Sequence, residues 1–270
     1  MFEKYELDKS LITKRNKDNI NIRIKSNLCG YFKVVGIHQR TYYNDKIEFL
    51  YVCEFENGYQ KLSTISNIKK GKVYNPYYPT HLGIGFLGES YHDAKKSNYY
   101  SLWKSILKRC SDGFQESYKN TYISKEWYNF TNFKNDINLI VGYKEYIKFK
   151  DSIKFEIDKD IFGNGELYSK ETCCFVPRDI NSFFKRTPTT NNSGVKGVSW
   201  DAKRSKWKAQ CSHNGIIILN KRFDNKAEAT YAYNNTKKYS LKTYLDNDYV
   251  WLDEEIKKQC ISKLNDNKFW

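Results

Sequence analysis

A mixed α+β fold in several small pieces is what the residue pattern predicts, and three observations carry that prediction. Short runs alternating between apolar and polar residues occupy 31–64 and return at 198–223. Between them, large apolar residues recur every three to four positions from Tyr100 to Ile137. From Phe155 to Asn181 the order reads strand, tight turn, strand, helix start. A period of two marks a half-buried strand, and a period of 3.6 marks an amphipathic helix.

Residues 1–27 are polar, with partly helical character. From Tyr31 to Ile37, Ile47 to Phe55 and Tyr59 to Thr64 the chain alternates as strands do, and Asn57-Gly58 between the last two predicts a hairpin. So many short strands within 28–80 predict a small β-barrel of SH3-like type, closed by Lys69, Lys70 and Lys72. Asn75 to Pro79 then reads as a linker. In the stretch 83–187, Tyr100, Trp103, Ile106 and Leu107 share one helical face, and Trp127, Phe130, Phe133 and Ile137 share another. Such aromatic stripes are more often core than platforms for nucleobases. Phe155 to Asp160 reads as a strand ending in charge, Gly163-Asn164-Gly165 as a turn, and Asp179 to Asn181 as a helix start. Arg186 to Asn192 is a polar tether. Val250, Ile256, Cys260 and Leu264 mark one amphipathic helix in 247–270, expected to dock back on the preceding domain.

Charge points to a polyanionic partner. Lys and Arg number 46 against 31 Asp and Glu, a net charge of +15 in 270 residues. Part of this surplus accompanies the Lys-, Asn-, Ile- and Tyr-rich usage of an AT-rich coding sequence. The cations nevertheless cluster at Lys14–Lys17, Lys69–Lys72 and Lys203–Lys208. No apolar run approaches a membrane span and no charged-then-apolar leader opens the chain, so a cytoplasmic protein is expected. Seven cysteines without paired spacing suggest reduced thiols. Cys110, Cys173 and a histidine are the one zinc set to consider, although isolated cysteines usually serve as small buried apolar residues.

The strand at Lys206–Ser212 sends Trp207, Ala209 and Cys211 one way and Lys208, Gln210 and Ser212 the other. Before it, Lys196-Gly197-Val198 opens a strand. After it, Phe223 closes a third, and Ala227, Ala229, Tyr231 and Tyr233 follow on a helix. From Asn191 to about Leu245 this set resembles the AP2 DNA-binding domain of phage and mobile-element proteins. The resemblance implies a three-stranded antiparallel sheet plus helix across 191–246, with the sheet lying in the major groove of double-stranded DNA. On that reading Lys203, Arg204 and Lys206 meet phosphates, while Lys208, Gln210, Ser199 and Ser212 meet bases. Plant members carry arginines along this face, whereas Lys196, Ser199 and Ser212 stand at the like positions here. The base sequence read therefore differs, since arginine forks suit guanine best.

A second resemblance rests on Trp103 to Cys110, on Glu126-Trp127 with Phe130 and Phe133, and on Asp158-Lys159-Asp160 followed by Tyr168-Ser169, Thr172-Cys173 and Asn181. These segments resemble HNH homing endonucleases of phages and mobile elements, and imply a ββα nuclease-like region within 83–187. By that resemblance Asp158 and Asn181 would hold Mg²⁺ or a similar divalent ion, and Asn164 would orient the base. Lys159 stands where active members carry the histidine that takes a proton from water. The flanking Asp158 and Asp160 oppose any lowering of its pKa. Two function classes follow: a sequence-specific double-stranded DNA-binding protein of phage or mobile-element origin, in the cytoplasm of a bacterial host, with a degenerate nuclease region and no cofactor; or an active metal-dependent endonuclease. An inhibitor of host nucleic-acid machinery is a third reading.

Overall fold

The computed structural model describes residues 2–43, 46–111, 115, 118–184, 193–213 and 215–265. The fold is mixed α+β, with several separate sheets and α-helices. It divides into two compact units, 1–119 with 125–134, and 120–124 with 135–270. The division runs within the 83–187 stretch.

The first unit holds an antiparallel sheet in the order β1 (Arg23–Lys25), β2 (Tyr31–Tyr43), β3 (Lys46–Phe55) and β4 (Gln60–Thr64). The expected turn follows β3: Gly58 takes φ +83° and the Asn57 side chain accepts the Tyr59 N–H at 3.1 Å. Phe32, Val34, Ile37, Cys53 and Phe55 cover one face and pack with Ile68 of α1 (Ile65–Lys69) and with Val73. The expected closed barrel does not form. The sheet stays open because β1, three residues long, pairs only with β2. In place of a closing strand, Asn27 donates from its backbone to Gly71 O at 3.0 Å and from Nδ2 to Lys70 O at 2.7 Å. The helical stripe on α2 (Tyr100–Arg109) buries Trp103, Ile106 and Leu107, and the Trp103 indole N–H donates to Trp127 O at 2.7 Å. Phe130 and Phe133, on α3 (Phe130–Asp136), are fully buried, as are Trp127 and Ile137. None of these rings is free to stack on a nucleobase.

In the second unit, β5 (Tyr122–Ile123) pairs in parallel with β7 (Leu167–Tyr168), while β6 (Phe155–Asp158) pairs antiparallel with β8 (Cys174–Pro177). Phe155 and Phe175, on one face of that hairpin, meet Tyr146 of α4 (Tyr143–Phe149), whose ring stacks on Phe175 at 4.6 Å. Helix α5 (Arg178–Phe183) follows β8 directly. A three-stranded antiparallel sheet then forms in the order β11-β10-β9, from β9 (Val198–Asp201), β10 (Lys206–His213) and β11 (Ile216–Phe223). The tether read at 186–192 lies outside the described residues.

Helix α6 (Lys226–Asn247) starts where Asn225 accepts the Glu228 N–H at 2.8 Å. Its 22 residues span about 33 Å. Ala229 and Tyr233 near its start pack on Val198, Ala209, Cys211 and Leu219 of the sheet. Leu241 and Leu245 near its end belong instead to a core with Ile161, Cys174, Val176 and Ile180 of the hairpin region. The tail helix α7 (Glu254–Asn265) adds Ile256, Cys260 and Leu264 to that same core, while Val250 is exposed. One helix thus serves two hydrophobic cores.

Candidate nucleic-acid interface and the Asp158 hairpin

Strand alternation gives the three-stranded sheet two chemically opposite faces. Ala209 and Val198 are buried against α6, and Trp207 packs beside them. Gly197 makes this approach close: at φ +72°, a Cβ there would stand 2.1 Å from the Tyr233 ring and 2.6 Å from Gln210 O. The opposite face carries a cross-strand row of Ser199, Lys208 and Arg222, with Gln210 opposite Asn220 and Ser212 opposite Ile217. Ser199, Gln210 and Ser212 are exposed, and Lys208 is half-buried within its row. Lys203 and Arg204 project from the β9–β10 turn, and Lys206 Nζ meets Asp224 at 2.6 Å. These expected residues therefore gather on one surface. Lys196 differs: it is half-buried, and its charge acts on Lys237 and Cys211.

Arg222 and Asn220 were not among the expected contacts. The signal was present, because counting back by twos from the outward neighbour of Phe223 places Arg222 and Asn220 on the polar face. Arg222 Nε donates to Asp201 Oδ2 at 2.7 Å, and Arg204 approaches the same oxygen at 3.3 Å. Both guanidiniums hold the Asp201 carboxyl below the usual range, Arg222 most. Behind the sheet, the buried Lys237 donates to Phe183 O, closing the end of α5. Burial, aided by the Lys196 charge, pushes Lys237 down to about 7.

Asp158 ends β6, and Asn181 stands on the helix that follows β8. Glu156 and Asp158 share a face of β6, and Asn181 Nδ2 donates to Glu156 Oε2 at 2.8 Å. Arg178 also approaches Glu156, at 3.6 Å. Asp158 is buried, and its Oδ1 accepts the N–H groups of Asp160 and Ile161, each at 2.8 Å. Burial, with the nearby Asp160 charge, raises its pKa to about 6 against those two hydrogen bonds. Lys159 is buried too; its Nζ donates to Asp160 at 2.7 Å and lies 5.5 Å from the Tyr168 ring centroid. Its ammonium thus has a local partner. Asn164 stands apart on the exposed turn, bonded to Glu166.

Oxygen donors suited to a small hard cation remain here: Asp158 Oδ2 and Asn181 Oδ1 accept no hydrogen bond among the described residues. No group of three or more His, Cys, Asp or Glu capable of holding a metal was found among those residues. Burial drives the Cys173 and Cys260 thiols up to about 12 and raises Cys174 well above the ordinary thiol range, so all three stay protonated and serve as packing. No helix among the described residues is long and apolar enough to cross a membrane. No family model, curated protein or solved structure matches this chain.

Proposed function

We propose that this chain binds double-stranded DNA through the outward face of its three-stranded sheet, as the AP2 resemblance implies. One observation carries the reading: a cationic and hydrogen-bonding row runs across three strands while Val198, Ala209, Cys211 and Leu219 of the sheet pack on α6. A twisted ribbon of this breadth fits the major groove, and its rim lysines suit the phosphates. Affinity comes mainly from Lys203, Arg204 and Lys206, and base contacts come from Lys208, Gln210, Ser199 and Ser212. With about six phosphates neutralised, log affinity falls with log salt at a slope near −5. Fluorescence anisotropy with labelled duplex tests this. Reversal of both Lys206 and Lys208 to Glu lowers affinity at least about 100-fold at low salt; unchanged binding removes this face from consideration.

The hairpin supports a second reading, an HNH-type nuclease, because its order is strand, strand, helix and Asn181 bonds Glu156, two residues before Asp158 on the same strand. Those two would hold the divalent ion, which would stabilise the leaving oxygen and the phosphorus-centred charge. The hairpin would position them, and α7 steadies its loop through the Lys263 Nζ bond to Gly163 O at 2.8 Å. Incubation of the full chain with DNA and Mg²⁺ or Mn²⁺, beside Asp158→Ala, separates the readings. Nicking lost in the variant establishes the enzyme, and nicking retained in it rules out Asp158.

A further inference from the structure

Arg222 and Arg204 share the Asp201 carboxylate but present different ends of their side chains. Arg204 uses a terminal nitrogen, Nη1, so part of its fork is spent on the ion pair. Arg222 uses Nε at 2.7 Å, which leaves both terminal NH₂ groups without a hydrogen-bond partner among the described residues. The two partners also come from opposite edges of the sheet. With β10 in the middle, the link from β11 to β9 draws the guanidinium across the central strand beside Lys208. Asp201 is only 15 % exposed, so its carboxylate is a firm anchor, while a third of the Arg222 side chain remains open.

A guanidinium fixed at Nε has one degree of freedom removed, and its free fork matches the O6 and N7 acceptors of guanine. Lysine at the same point would be a mobile point charge without that geometry. We infer that Arg222 is a base-reading residue that selects guanine in the major groove, and that Asp201 is its positioning residue. This inference rests on the proposed DNA-binding function and adds to it a specificity that the serines at Ser199 and Ser212 do not supply.

The test selects duplexes from a randomised pool with the full chain, then measures affinity and salt dependence on the selected duplex and on single-position variants. Wild type enriches guanine at one position. Arg222→Lys and Arg222→Ala each lose about 10- to 100-fold on the selected duplex and lose that guanine preference, while other positions keep theirs. Asp201→Asn weakens the same preference yet does not lower low-salt affinity for unrelated duplexes, since it adds net positive charge. A purely structural aspartate would not separate those two readouts. If Arg222→Ala weakens all duplexes equally and reduces the salt slope by about 0.9, Arg222 is a phosphate contact and the inference falls. It falls equally if wild type binds duplex without any guanine preference. If wild type ignores every duplex at low salt, the DNA-binding reading itself is wrong.

Discussion

Two charged places in the second unit handle their charges in opposite ways. On the three-stranded sheet the ion pairs lie toward solvent, with Lys206–Asp224 at 44 % and 82 % exposure. At the β6–β8 hairpin, Asp158 is buried and bound to its own main chain. Charge kept in water costs little and is ready for a polyanion. Charge kept inside costs stability, and a fold retains it only where something else returns the favour or where a former use has left it. The contrast separates charge held toward solvent from charge held in the interior.

The strongest way to break the comparison is to remove the sheet. Gly197→Ala places a methyl against Tyr233 and Gln210 O at a left-handed backbone position, and should cost about 3 kcal/mol or more, read as a lowered urea midpoint. DNA affinity should fall with it. A variant with wild-type stability would mean that the strand and helix are less tightly apposed than described.

Asp158→Asn sharpens the other side. The folded protein holds the Asp158 proton up to about pH 6, against 3.8 for the ordinary carboxyl. Between those values the native state binds more protons than the unfolded state, so ionisation lowers stability as pH rises through the window. The Asn variant, which still accepts both N–H bonds, should match wild type below pH 4. It should gain roughly 1–3 kcal/mol by pH 7. A variant less stable than wild type at pH 7 would show that the carboxylate is a net structural asset.

The smallest effect belongs to the exposed pair. Asp224→Asn should change unfolding free energy by no more than about 0.5–1 kcal/mol, because both partners are solvated. It should modestly raise DNA affinity by freeing Lys206, and reduced affinity in anisotropy would contradict the placement of that lysine at the DNA.

Much of this was legible in the residues. Alternation around Trp207, Ala209 and Cys211 reports which side of a strand is dry, and the structure buries Ala209 and Cys211. Alternation does not report which strand lies alongside. That is why the first unit looked like a closed barrel and proved to be an open sheet, and why the parallel β5–β7 pair went unseen. Helix α6 hides its double role for a different reason. Its buried stripe runs Ala229, Tyr233, Lys237, Ser240, Leu241 and Leu245, so polar residues interrupt the apolar pattern where it passes from one core to the next. Arg222 lies outside the Lys203–Lys208 cluster, and its place beside Lys208 depends on the β10–β11 register, which alternation alone does not report.

The core shared by the hairpin and the two last helices has a consequence for biosynthesis. Residues 155–184 leave the ribosome well before Leu241, Leu245, Ile256 and Leu264, the groups that cover Cys174, Val176 and Ile180. At ordinary elongation speeds that interval is on the order of ten seconds. A nascent chain therefore carries the Asp158 segment unfinished until translation nears Leu264, so a message cut short after the sheet yields no completed hairpin.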